Sequence, residues 1–130
     1  MSNKRFVEAF KKKYGNDRVV NDPMEAAYTA VYLWKQSVEK AGTVTNLTKV
    51  RSAAIGQSFN APSGRVTINR NHHLSKYCRI GQVREDGLFK IVYESNDPIA
   101  PQPWNQLVSE TRGYTCDWSE GARGGKFKRS

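Results

Sequence analysis

Apolar positions in the first half of the chain recur at helical spacing. Between Asn3 and Tyr14, the side chains of Phe6, Val7, Phe10 and Tyr14 share one face, which predicts an amphipathic helix stopped by Gly15. The next segment carries stronger signals. Asp22 suits an N-cap, Pro23 the first helical position and Glu25 the third, where its carboxylate reaches back to the cap nitrogen as in a capping box. Ala27, Val31, Trp34, Val38 and Ala41 then alternate steps of four and three. They form a continuous apolar seam that needs a sizeable partner surface, with Lys35, Glu39 and Lys40 largely off it and Gly42 closing the helix. A third helix is predicted from about Asn46 to Ile55, with Leu47, Val50 and Ala54 inward and Gly56 as terminator.

After Gly56 the period shortens. Ala61-Pro62-Ser63-Gly64 is turn chemistry, and Arg65 to Arg70 alternates polar residues with Val66 and Ile68, which is strand spacing. Leu74 to Val83 is a second extended candidate, and Glu85-Asp86-Gly87 predicts a hairpin turn into Leu88-Phe89-Lys90-Ile91-Val92-Tyr93. These strands are expected to form one small, mostly antiparallel unit. Pro98, Pro101 and Pro103 each remove a backbone donor, so an irregular strap is expected beyond Glu94. The final residues, rich in glycine and cations, are expected to be a basic flexible tail over 119–130, leaving 1–118 as one unit. No internal repeat is present.

The length of 130 residues suffices for one domain with a real core and not for two. Hydrophobic residues at 38% and charged residues at 25% are ordinary for a globular chain, while a mean hydropathy of -0.71 leans polar. The net charge of +9 would attract phosphate and is the main argument for the alternative of a small basic interaction module with nucleic acid as its partner. Its distribution weakens that alternative. Lys4, Arg5, Lys11, Lys12 and Lys13 lie in the first segment and Arg123, Lys126, Lys128 and Arg129 in the last, where charge usually marks a solvated face or tail. No nucleic-acid partner is therefore expected. No apolar run approaches the ~20 residues of a membrane span, and the first residues lack the apolar stretch of a secretory signal.

Candidate chemistry is sparse. His72 and His73 are neighbours, and in an extended segment neighbours point to opposite faces, so at most one can join Cys78 or Cys116 around a metal. A hydrogen-bonding role suits them better, and no metal site is assigned. The two cysteines can bridge in an oxidising compartment or stand as isolated buried thiols. The thiol reading is preferred, because a bridge needs Cα atoms within about 7 Å and nothing in the spacing requires that. A Cys-His nucleophilic pair lacks any flanking signature, and nucleophile-elbow, phosphate-loop and dinucleotide fingerprints are absent, so no catalytic residue or cofactor is assigned. Tyr28, Tyr32 and Trp34 on the long helix suit packing, while Trp104, Tyr114 and Trp118 suit anchoring of the irregular end.

Several ordered words carry a resemblance. Phe6 to Gly15, Asn21-Asp22-Pro23-Met24-Glu25-Ala26-Ala27-Tyr28, Ala53-Ala54-Ile55-Gly56 and Ala61-Pro62-Ser63-Gly64 are followed by Asn71-His72-His73-Leu74-Ser75-Lys76. Ile80-Gly81-Gln82-Val83, Asp86-Gly87-Leu88-Phe89, Pro101-Gln102-Pro103-Trp104 and Arg112 to Trp118 complete the series. In this order they resemble the C-terminal portion of the urea or short-chain amide binding proteins of ABC transporters. The resemblance implies part of a type I periplasmic binding fold, an α/β architecture of two lobes joined by hinge strands, which as an isolated piece reads as α+β.

The function so implied is capture without chemistry. Urea or a short-chain amide would be the ligand, an ABC permease the partner, and the periplasm or cell surface the place of the full-length family member. A selective pocket for so small and neutral a molecule needs acceptor oxygens at its rim, a donor to the carbonyl and an aromatic wall. Most ligand contacts are expected outside this segment. Within it the candidates are Asp22, at a helix N-terminus that can face the cleft, and Tyr28, a turn and a half further in. The chain is expected to be a truncation, a split-gene piece or a fragment, and alone to leave the apolar seam of its long helix poorly covered.

Overall fold

Helix α1 spans Asn3–Tyr14 in the computed structural model, which describes residues 3–102 and 107–109. Phe6 is its buried residue, and Gly15 ends it in a left-handed turn, donating from its N–H to the Lys11 carbonyl at 2.9 Å. Helix α2, Asp22–Ala41, is capped one residue earlier than the sequence suggests. Asn21 is the N-cap, its Oδ1 accepting from the Met24 N–H at 3.1 Å. Asp22 and Pro23 therefore occupy the first turn, and Glu25 is released from the capping-box role. Gly42 closes the helix in the left-handed region, with its N–H shared between the carbonyls of Val38 and Glu39. Helix α3, Leu47–Ala54, is capped by Asn46, whose side chain accepts from the Lys49 N–H. It packs on α2 through Val50, whereas Leu47, expected inward, points into solvent.

Two separate antiparallel sheets follow, in place of the single unit expected. The first has the order β1-β2-β3, from Ser58–Ala61, Gly64–Ile68 and Leu74–Ser75. Its first strand was not anticipated. Ser58 pairs with Thr67 and Ala61 with Gly64, so Pro62 and Ser63 form the hairpin tip. The second sheet is a two-stranded ribbon of β4, Arg79–Val83, and β5, Phe89–Glu94, closed by the predicted turn. There the Gly87 N–H donates to the Arg84 carbonyl and Asp86 accepts from the Leu88 N–H.

The extended candidate from Leu74 to Val83 is thus broken between Ser75 and Arg79. Tyr77 explains part of the break: its ring lies so close to Gly64 that a Cβ there would come within 2.8 Å of it. Ser95 explains the rest, giving its N–H to the Cys78 carbonyl and accepting the Cys78 N–H on its hydroxyl. The strap is anchored by an isolated antiparallel bridge between Lys76 and Ile99. Pro103, Trp104, Tyr114, Cys116, Trp118 and the 119–130 tail lie outside the described residues.

The core is small. Leu33 of α2 sits on Ala61 and Val66, with Phe59, Ile68 and Leu74 packed around them. The buried stripe of α2 is Glu25, Thr29, Leu33 and Ser37, at steps of four and mostly polar. Its polarity is tolerated because the hydroxyls are satisfied, Thr29 donating to Glu25 at 2.9 Å and Ser37 to the Leu33 carbonyl at 2.7 Å. The apolar seam is left open, as expected: Val31 is 64% exposed and Trp34 57%. The ribbon is exposed along both strands as well, including Ile80, Phe89, Ile91 and Tyr93. The result is an α+β arrangement of helices followed by small antiparallel sheets. No helix among the described residues is long and apolar enough to cross a membrane.

Candidate functional site

The start of α2 is where the chain concentrates polar order. Glu25, brought inward by the displaced cap, is only 7% exposed. Its Oε1 accepts from the Thr29 hydroxyl and, at 3.0 Å, from the Ser63 hydroxyl on the β1–β2 tip. Its Oε2 faces Lys76 Nζ at 3.4 Å, and the same ammonium reaches Asp22 Oδ1 at 3.3 Å. Because Lys76 also pairs with Ile99, one buried carboxylate ties together helix, hairpin, β3 end and strap.

Beside this network lies a cleft of about 560 Å³. Asn21, Asp22, Glu25 and Ser63 give it an oxygen-rich side, and Arg79 of β4 supplies a guanidinium. Phe6 of α1 with Phe89 and Ile91 of β5 form an apolar and aromatic wall. Arg79 is held by an ion pair of its Nε with Glu94 across the ribbon and stands over the Tyr77 ring at 5.6 Å. The helix N-terminus itself has little to offer a carbonyl: Pro23 has no N–H, and those of Met24 and Glu25 are both given to Asn21. Arg79 and the Asn21 amide are among the side chains lining the cleft that carry N–H donors.

The structure separates the two residues singled out from sequence. Asp22 lines the cleft, with its side chain 81% exposed, whereas Tyr28 is not among the lining residues. Tyr28 belongs to an aromatic row running from Phe6 of α1, at 4.8 Å, through Tyr32 to Phe59 of β1. Its hydroxyl is pushed up from the ordinary 10.0 to about 12, first by a hydrogen bond with the Tyr32 side chain and then by burial, with Arg5 opposing. A raised value in the folded state means the protonated phenol is the favoured form. That contribution to stability is intact below about pH 10 and disappears as pH climbs through about 12. Tyr32→Phe should bring the Tyr28 midpoint back towards the ordinary tyrosine range, read from tyrosinate absorbance. An unchanged late-titrating tyrosine in that variant would show that Tyr32 is not the cause.

The histidines do not sit in an extended segment. His72 takes a left-handed backbone, φ 63°, in a turn that Asn69 holds by bonds to and from its neighbours, and His73 Nδ1 contacts the Asn71 carbonyl oxygen at 3.0 Å. Cys78, expected to be buried, is an exposed free thiol. Sequence reasoning did not single out Ser63, Arg79 or the ion-pairing role of Lys76. Ser63 enters the sequence reading only within the turn word Ala61-Pro62-Ser63-Gly64 and Lys76 only at the end of Asn71 to Lys76, while nothing there points to Arg79.

A family profile described as a periplasmic binding protein domain matches residues 1–110. Among curated proteins the chain is 37% identical over 101 residues to a protein named limonene hydroxylase from Geobacillus stearothermophilus. The match covers 78% of this chain and 18% of that relative, so the chain spans less than a fifth of its length.

Proposed function

We propose, because this chain belongs to the periplasmic binding protein domain family, that it forms part of the solute-binding component of an ABC transporter for urea or a short-chain amide. The observation that carries the reading is the cleft at the start of α2. It combines acceptor oxygens, a guanidinium donor and an aromatic wall, the set that a small planar molecule with one carbonyl and several N–H groups requires. Asp22 would accept from the ligand's N–H groups and Arg79 would donate to its carbonyl, while Tyr28 would act behind the site by holding α1 against α2.

The exposed seam of α2 and the bare ribbon supply the second half of the proposal. Contiguous apolar surface of this kind marks an interface. The cover we assign to it is the remaining lobe structure of a two-lobed receptor, with β4 and β5 crossing the hinge. Closure over the ligand expels water, so an unmatched polar group becomes costly, and that cost discriminates between ligands. The closed form would then engage the permease outside the cytoplasm. The name of the Geobacillus relative describes that much longer protein, and no oxidative step is assigned to this chain. The alternative of a basic nucleic-acid module draws no support from the family match.

The test is calorimetric. The chain fused to the N-terminal lobe of a family member should bind urea or acetamide, and the chain alone should give no heat. Asp22→Ala and Arg79→Gln in the fusion should each weaken binding by about tenfold, the worth of a hydrogen bond to a charged group. Equal binding by the isolated chain, or full affinity in both variants, would refute the assignment.

A further inference from the structure

A second cavity, of about 370 Å³, lies between α2, α3 and the β2–β3 end of the first sheet. It shares no lining residue with the amide cleft and differs from it in chemistry. Its walls are apolar, formed by Ala30 and Trp34 of α2, Ile68 of β2 and Leu74 of β3, and no carboxylate lines it. A guanidinium and an imidazole complete it, Arg51 from the last turn of α3 and His72 from the turn before β3. The Arg51 guanidinium has no ion pair or hydrogen bond among the described residues. His72 is the one non-glycine residue among them with a positive φ, fixed there by its N–H bond to the Asn69 carbonyl. An apolar hollow with an unpaired cation and a second hydrogen-bonding ring is complementary to an amphipathic anion.

We infer that this cavity binds a carboxylate carrying a short to medium alkyl chain, the chain lying along Trp34, Ile68 and Leu74 and the carboxylate meeting Arg51 and His72. A net charge of +9 favours approach of such an anion over a cation of the same shape. The two cavities share no lining residue, and the inference concerns the chain by itself, in which Trp34 of the α2 seam is uncovered.

Titration of the 130-residue chain with octanoate, octanol and octylamine, followed by calorimetry, tests it. Octanoate should bind saturably at concentrations around a millimolar. Octanol should bind about fivefold more weakly and octylamine more weakly still, because the ion pair at an exposed rim is worth no more than that factor. Arg51→Gln and His72→Asn should each lower octanoate affinity by up to about fivefold and leave octanol unchanged, asparagine being tolerated in the left-handed backbone of position 72. Ala30→Phe, which fills the hollow, should remove both ligands. Absence of saturable octanoate binding overturns the inference. So does octylamine binding as tightly as octanoate, because Arg51 and His72 would then make no distinction of charge. Retention of octanoate by a folded Ala30→Phe variant overturns it too. If that variant does not fold, the octanoate-to-octanol ratio in Arg51→Gln decides: an unchanged ratio refutes the site.

Discussion

Truncation of Leu33 to alanine is expected to lower the unfolding free energy by about 3 kcal/mol, within the range for a buried leucine. Leu33 is 4% exposed and covers Ala61 and Val66, the latter 1% exposed. Few other buried hydrophobic residues occur among those described, chiefly Phe6 and Val50, so little remains to close the hollow. Against a typical domain stability of about 5–15 kcal/mol the loss is large, and it should appear as a lower denaturant midpoint. The control is on the same helix. Trp34→Ala and Val31→Ala remove more conspicuous apolar groups, yet both positions are exposed, so each should change stability of the isolated chain by about 0.5 kcal/mol or less. If Trp34→Ala proves as damaging as Leu33→Ala, the seam is buried in solution and α2 does not pack through the Leu33 stripe.

That contrast shows what was legible in the sequence. Helix limits were readable because they are written locally, in Gly15, Gly42, Gly56 and the Asn21-Asp22-Pro23 start, with an error of one residue at the α2 cap. Both asparagine and aspartate accept a helix N–H, and Pro23 fits either of the first two positions, so the choice between Asn21 and Asp22 is not local. The packing face was hidden. Ala27, Val31, Trp34, Val38 and Ala41 carry the apolar content, but the stripe that meets this chain's sheet carries glutamate, threonine and serine. Polar side chains can face a core when their partners lie one turn away, as Thr29 and Ser37 show, and a hydrophobicity pattern does not register that compensation.

The strands failed for a different reason. Ser58–Ala61 alternates correctly, Phe59 and Ala61 against Ser58 and Asn60, but four residues are too short a window to separate from loop. The split between β3 and β4 depends on Tyr77 meeting Gly64 and Cys78 meeting Ser95, contacts made across the chain. The cleft was half legible on the same grounds. Asp22 marks a helix start and is readable there, whereas Ser63 and Arg79 join it only because the β1–β2 tip and the ribbon fold back to α2.

Glu25 is the residue through which that folding back is enforced, and its removal is the second large effect expected. Glu25→Ala should cost about 2–3 kcal/mol, since it leaves the Thr29 hydroxyl without its carboxylate acceptor in a buried site and strips Ser63 and Lys76 of a shared one. Glu25→Gln keeps an oxygen for both hydroxyls and loses only the ion pair. Because Lys76 is about 30% exposed and retains Asp22, that variant should cost about 1 kcal/mol or less. The difference between the two variants measures the hydrogen bonds, and a double-mutant cycle of Glu25→Gln with Lys76→Met measures the charge pair. Equal losses in Glu25→Ala and Glu25→Gln would mean that charge alone matters and that Ser63 is not tethered. Such an outcome would also weaken the proposed ligand site. Ser63 is positioned on the cleft by the bond it makes to Glu25, and an untethered hairpin tip would leave Asp22 and Arg79 without a fixed wall between them.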